Sequence, residues 1–378
     1  MGLAGEPPLT TRGRRCESMQ YKLRTGALTY GLMVCVLLAC GVAQAALPAD
    51  SHPPAFIGTA DDWINSPPLT WQELKGKVVL VDFWEYTCVN CIRTFPYLKA
   101  WYQRYAPYGL VIIGIHTPEF GFSADKENVA AAAKREGLKY PILNDLESKN
   151  WRAYDENFWP SKYIFDQSQR LVSQHAGEGG YQSTERLIQK LLLKTHPSAK
   201  FPPPLPPQRP GDRPGVVCQS ETPELYANPN YDFLANLPRG WTTDQVANCV
   251  DRGRHQDGKV YANGAFITRY QSLQHARTTK DLKDYIAIRY HATEVNVVVN
   301  RPQNRDYTVY ATLDGKPIPK SDQGNDIKYD ARGSYFVVNA PRMYNVIRGP
   351  FGTHGLKLAS DSTGFDLYSY TFSGCPQK

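Results

Sequence analysis

The sequence predicts an α/β domain followed by an all-β antiparallel sandwich. Three observations carry that reading. Strand and helix signals alternate through residue 195, the apolar period drops to two in the C-terminal half, and seven of the fourteen residues from Phe201 to Pro214 are proline. A chain of 378 residues is too long for one compact domain and suits two. With 42% apolar and 21% charged residues the mixture is ordinary for a globular protein, which excludes wholesale disorder. The chain holds 24 tyrosines, 14 phenylalanines and 7 tryptophans, a richness that favours β structure and rigid recognition surfaces.

Residues 1–45 read as an address. Ala27 to Ala46 is apolar apart from Thr29, Tyr30 and Gln44, follows Lys22 and Arg24, and ends on the A-x-A pattern Ala43-Gln44-Ala45. That is the layout of a secretory signal peptide, and the long stretch before it allows initiation at Met19. Two other readings stay open: an uncut membrane anchor over residues 27–46, or lipid on Cys40 after Leu37-Leu38-Ala39. All three place the remainder outside the cytoplasm, in a bacterial periplasm or envelope. The formal charge of +7 includes +3 on residues 1–45, and the +4 left over is too dilute for a nucleic-acid surface.

In the α/β part, Val78–Phe83 and Leu110–Ile115 are continuous apolar runs, as buried central strands require. Between them Ile92, Phe95, Leu98, Trp101, Tyr102 and Tyr105 recur at helical spacing. A second helix is marked by Ser123 as cap, Asp125 and Glu127 in its first turn, an alanine run, and Gly137 as stop. Strand signals follow at Tyr163–Phe165 and Leu171-Val172, then a helix carrying Leu187, Ile188, Leu191 and Leu192. The boundaries expected are an α/β domain over 46–198, a proline-rich linker over 199–215 and a β domain over 216–378. Seven prolines cannot build a core and favour a semi-rigid polyproline spacer, or a docked strap.

Beyond the linker Ile286, Ile288 and Tyr290 alternate with Ala287, Arg289 and His291. Tyr307, Val309, Ala311 and Leu313 run into the turn Asp314-Gly315, and Phe365–Phe372 alternates likewise. Short strands broken by Gly, Pro, Asn and Asp read as a sandwich without helices.

The chemistry sits in Val81-Asp82-Phe83-Trp84-Glu85-Tyr86-Thr87-Cys88-Val89-Asn90-Cys91. A buried strand ends at Trp84 and Cys88 opens the next helix, where unpaired N–H groups and the helix dipole stabilise a thiolate. The C-x-x-C interval sets Cys91 one turn along, placed to resolve a mixed disulfide. A zinc knuckle lacks a second ligand pair, and haem attachment lacks a His after Cys91, where Ile92 stands. A purely structural disulfide would not need the strand-loop-helix setting. An acid inside Val78–Phe83 is costly without a task, which marks Asp82. His116 reads more readily as a hydrogen-bonded residue after a strand than as a proton shuttle, and Glu85 and Glu119 have no stronger case.

These residues resemble a thioredoxin-fold active site, and the surrounding text is similar to the thioredoxin-like domain of DipZ-type proteins, relatives of TlpA-like cytochrome c biogenesis thioredoxins. The resemblance is carried by Cys88-Val89-Asn90-Cys91-Ile92-Arg93-Thr94, Gly114–Phe120, Trp159-Pro160 and Gly177–Tyr181, and spans roughly residues 55–195. It implies a thioredoxin-like fold with a jelly-roll-like, carbohydrate-binding-module-like tail. It also implies disulfide exchange with protein thiols, with no metal or organic cofactor. Residue by residue, Cys88 is the implied nucleophile, Cys91 the resolving thiol and Asp82 the buried proton relay. Pro160 matches the cis-proline beside the dithiol, with Trp159 and Trp84 on the substrate side, and Pro96 the proline of the active-site helix. Thioredoxin has Trp before the first cysteine and Gly-Pro between the pair. Thr87 and Val89-Asn90 stand here, so reductant and oxidant both remain open. DipZ-type proteins carry a membrane electron-transfer domain, so a separate membrane donor is implied for a reductant.

Cys218, Cys249 and Cys375 leave one thiol unpaired, and closing the last strand favours Cys218–Cys375. Trp241, Tyr261, Tyr290, Tyr335, Tyr344, Tyr368 and Tyr370 could stack on a polysaccharide, though half or more should be core. The function expected is an exported thiol-disulfide oxidoreductase. The rivals are a thiol peroxidase of the alkyl hydroperoxide reductase type, with antioxidant activity, and a non-catalytic envelope binding protein. The peroxidase signature needs Pro and Thr seven and three positions before the reactive Cys; Val81 and Glu85 precede Cys88 there.

Overall fold

The computed structural model describes residues 47–377. The expected signal, anchor or lipid site, with Cys16, Cys35 and Cys40, lies outside them. Among the described residues no helix is long and apolar enough to cross a membrane.

The N-terminal part contains β1 (Trp63–Ile64), β2 (Val78–Trp84), α1 (Val89–Tyr105), β3 (Leu110–His116), α2 (Lys126–Glu136), β4 (Ile142–Asn144), α3 (Lys149–Ala153), β5 (Ser161–Phe165), β6 (Leu171–Ala176) and α4 (Tyr181–Leu193). Its six-stranded sheet runs β1-β4-β3-β2-β5-β6. β2 pairs parallel with β3 and antiparallel with β5, so it is central and all seven of its residues are buried. The strand's two faces feed two cores. Val78, Leu80 and Trp84 pack with α1, α2 and α4, while Val79, Val81 and Phe83 pack on the opposite side with Tyr154 and Tyr163. Each such side chain contributes about 1.5–3 kcal/mol. By strand parity Asp82 shares the α1 face.

α1 buries Phe95, Leu98, Trp101 and Tyr105, as the spacing predicts, and Cys91 with them; Ile92 and Tyr102 of the same set are half-buried, and Pro96 lies inside the helix. In α2 the cap differs from expectation. Asp125 takes that place, accepting from Glu127 N–H at 2.8 Å, while Ser123 sits in the preceding 3-10 turn with its hydroxyl on the Phe120 backbone. Gly137, at φ 68°, closes the helix as read. β1 and β4, two and three residues long, are too short to leave a period in the sequence.

The proline segment is docked as a strap. The Leu205 N–H donates to Glu185 of α4 at 2.7 Å, the Gln208 N–H to the Tyr97 hydroxyl at 2.8 Å, and Arg209 pairs with Glu178 at 2.7 Å.

The C-terminal part holds β7 (Leu225–Tyr226), β8 (Val246–Cys249), β9 (Val260–Thr268), β10 (Leu273–His275), β11 (Tyr285–Asn300), β12 (Tyr307–Leu313), β13 (Lys316–Pro317), β14 (Lys328–Asp330), β15 (Gly333–Val338), β16 (Arg342–Ala359) and β17 (Asp366–Ser373). Every pairing of these strands is antiparallel. The long β11 and β16 pair along most of their length, with register breaks after Ala292 and Val295. β11 bonds β9 at its start and β17 at its end, and β10 joins β9 to β17, so these four strands close into a ring. The core they wrap includes Ile286, Ile288, Val295, Val297, Leu356 and Leu367.

The alternation expected on β12 is present. That expected on β17 is not, because both of its faces are covered. Tyr368 packs edge-on against Phe120 and Phe122 of the loop after β3, at centroid distances of 5.1 and 4.8 Å. The β domain therefore lies against the α/β part beside the dithiol.

Candidate active site

Cys88 is the N-cap of α1, at φ −77° and ψ 110°, and the Cys91 N–H donates to its sulfur at 3.1 Å. The Cα atoms are 5.3 Å apart and the two sulfurs form a disulfide. Cys88 is half-buried, whereas Cys91 has no exposure. One sulfur is open to attack and held among helix N–H groups; the other is reachable only through it.

Asp82 and Lys162 are both buried, Lys162 on the neighbouring β5, with Nζ 3.8 Å from Oδ1. Burial dominates their pairing in both directions. It raises the Asp82 carboxyl from its ordinary 3.8 to about 7 against the pull of Lys162, and it lowers the Lys162 ammonium. Both groups are thereby biased toward neutrality, which fits Asp82 to hold or release a proton on the α1 side of the sheet.

Trp84 is not where a substrate could touch it. Its ring has no exposure, meets Phe95 at 5.3 Å and His116 at 4.9 Å, and covers Gly114, where a Cβ would lie 2.8 Å from the indole nitrogen. The central position of β2 makes Trp84 a core residue. His116 is buried at the end of β3, stacked on Tyr86, with Nδ1 3.3 Å from Asn144 and Nε2 3.7 Å from Glu85.

A cavity of about 290 Å³ opens at Cys88, and Trp159 lines it. The Trp159–Pro160 peptide is cis, and the Trp159 ring leans on Trp151 at 4.3 Å. The opposite wall comes from the β domain: Glu221, Glu224, Tyr226 and Phe372. Glu119, from the loop after β3, completes it, and the Tyr226 hydroxyl donates to Glu119 at 2.5 Å. Burial raises Glu119 to about 8 and Glu224 to about 7, and the charges of Glu224 and Glu85 push Glu119 the same way.

Sequence reasoning passed over Glu119 and had no signal for Glu224 or Tyr226, because their meeting depends on the packing of two domains. The aromatic platform largely dissolves. Tyr261, Tyr290, Tyr344 and Tyr370 are buried and Tyr368 faces the α/β part, leaving Trp241 and Tyr335 with partial exposure. A cavity of about 870 Å³ on the β domain is lined by Asn236, Asn248, Asp251, Arg252 and Arg254 together with Pro238, Val250 and Tyr261. Cys218 is bonded to Cys375, and Cys249 is free and buried, its thiol raised to about 11 by burial. Among the described residues no group of three or more His, Cys, Asp or Glu side chains is placed to hold a metal ion.

Residues 54–174 match the family described as AhpC/TSA, and residues 222–373 the family described as thioredoxin like C-terminal domain. Protein DipZ of Mycobacterium bovis and that of Mycobacterium tuberculosis are each 34% identical over 331 residues, spanning 83% of this chain and 43% of theirs. This chain thus covers less than half the length of those curated relatives. Thiol-disulfide oxidoreductase YkuV of Bacillus subtilis is 23% identical over 133 residues, 35% of this chain and 89% of that protein. The solved structure of a thiol-disulfide isomerase from Corynebacterium glutamicum aligns with a TM-score of 0.32 and 20% identity, over 37% of this chain and 96% of that one. A thioredoxin-like domain is followed here by a DipZ-type C-terminal β domain.

Proposed function

We propose that this protein is an exported thiol-disulfide oxidoreductase that exchanges disulfides with protein substrates through Cys88 and Cys91. The observation that carries the reading is the asymmetry of the pair: a half-exposed sulfur capping α1 in an open cavity, backed by a fully buried partner one turn on. Cys88 forms the mixed disulfide with the substrate sulfur, and Cys91 displaces the substrate by attacking Cys88. Asp82 relays the proton of Cys91. Trp159 and Pro160 form the substrate-side wall, Trp159 bordering the cavity and Pro160 buried behind it.

The site of action is the bacterial periplasm or envelope, supported by the leader pattern at residues 27–46. A separate membrane protein supplies electrons if the chain reduces its targets. For the β domain, the cavity at Asn236 and Arg252, which Tyr261 of the aromatic set also lines, is the place for a polysaccharide.

The test is turnover of insulin or a scrambled disulfide substrate by the wild type, Cys88→Ser and Cys91→Ser. Loss of turnover in the first variant and accumulation of mixed disulfides in the second are expected. Unchanged turnover in Cys88→Ser overturns the reading. The AhpC/TSA match makes peroxide the second substrate to try, and sulfenate formation at Cys88 faster than disulfide exchange would establish a peroxidase instead.

A further inference from the structure

We propose that Glu119 and Glu224, which line the Cys88 cavity from the two sides of the domain boundary, are the general acid–base pair for exchange at Cys88. This rests on the oxidoreductase reading and adds to it the source of a proton. Both carboxyls line the cavity into which Cys88 opens, Glu119 from the α/β part and Glu224 from the chain entering β7. Neither part builds the pair alone.

The pair is placed to keep a proton. The Tyr226 hydroxyl donates its one hydrogen to Glu119, and Glu224 lines the same cavity from the β-domain side. Two carboxyls sharing one buried cleft resist double ionisation, each charge opposing the other. The surroundings hold that proton in place. Glu85 is buried nearby with Oε1 lacking a hydrogen bond, facing His116 at 3.7 Å, and Glu221 borders the cavity. Among the described residues no Lys or Arg lines the cavity. The neighbouring cations are committed elsewhere, Arg93 to Glu178 and Glu294 and Lys162 to Asp82. Tyr231, stacked on Tyr226 at 4.8 Å, closes the outer side.

In the reducing direction the Cys88 thiolate attacks a substrate disulfide. A sulfur–sulfur bond forms to Cys88, the substrate bond breaks, and the departing thiolate takes the shared proton of the pair. Cys91 then loses its proton through Asp82 and attacks Cys88, and the second substrate sulfur leaves. Two electrons pass from the dithiol to the substrate disulfide, and the pair regains its proton from solvent. The oxidising direction is the same path reversed, with the pair as base.

A general acid matters for a basic leaving thiolate and hardly at all for an acidic one. The experiment is single-turnover oxidation of the reduced full chain by glutathione disulfide and by an aryl disulfide, 5,5′-dithiobis(2-nitrobenzoate), across the neutral and mildly alkaline range. The variants are Glu119→Gln/Glu224→Gln and Tyr226→Phe. In the wild type the glutathione-to-aryl rate ratio is expected to fall as pH rises through the range where the pair loses its last proton. In the double Gln variant the glutathione rate should fall about ten-fold or more, the aryl rate should hold, and the ratio should lose its pH dependence. Tyr226→Phe, which keeps both carboxyls, should shift the limb without abolishing it. Equal losses on both disulfides, or an unchanged ratio, overturn the pair. A wild type that reacts with neither disulfide faster than a simple thiol removes the oxidoreductase reading as well.

Discussion

Arg93, two residues past the buried Cys91, lies 2.6 Å from Glu294 on β11, and each side chain is 11% exposed. The same guanidinium reaches Glu178 at 3.2 Å, and Glu178 holds Arg209 of the proline strap. The N-terminal end of the active-site helix is thus fastened to the β domain and to the linker at once. Together with the packing of Tyr368 on Phe120 and Phe122, this makes the β domain a fixed wall of the cleft.

Glu294→Gln should weaken that fastening. Removing one partner of a largely buried pair costs about 3–5 kcal/mol, and the remaining bond from Arg93 to Glu178 reduces this to roughly 2 kcal/mol. Urea denaturation gives the free energy, and proteolysis within residues 199–215 should accelerate in parallel. An unmoved midpoint would show that the pair contributes nothing.

Asp82 makes stability depend on pH. Its folded value near 7 stands above its ordinary 3.8, so between those limits the folded chain keeps a proton that the unfolded chain has released. Stability is therefore favoured at low pH and declines as pH rises through about 7. Asp82→Asn removes this dependence. Relative to that variant the wild type should lose up to about 4 kcal/mol between pH 4 and 8. Denaturation midpoints of both proteins at the two pH values measure the difference, and parallel midpoints would contradict the assignment.

The Cys218–Cys375 bond closes a loop with a sequence separation of 157, and Cys375 packs against Gly211 of the strap. Cys218→Ser/Cys375→Ser should lose about 2–5 kcal/mol of stability and keep dithiol turnover. Calorimetry reads the first and the insulin assay the second. Loss of turnover in a folded variant would place this disulfide in the redox pathway.

Much of this was legible because some signals are local. The apolar run Val78–Phe83 could only be a doubly covered strand, and Cys88 before a helical period could only be a helix opening. The short β1 and β4 left no such mark. Trp84 is core and not the substrate contact expected, because nothing in a run of apolar residues distinguishes the last buried position from the first open one. Four of the six tyrosines in the aromatic set are core, in line with the half or more expected; which four was not legible, because a tyrosine's hydroxyl gives no clue to which side of a sheet its ring will face.

The chain itself determined the two architectures, the dithiol and its helix cap, and the strand carrying Asp82, since each follows from residues within a few turns of one another. Folding alone decided that Glu224 and Tyr226 meet Glu119 beside Cys88, that Arg93 meets Glu294, and that the proline segment lies docked. Those contacts join residues roughly 100 to 200 positions apart or across a strap. Their charges are kept from water by surfaces that exist only once both domains are packed.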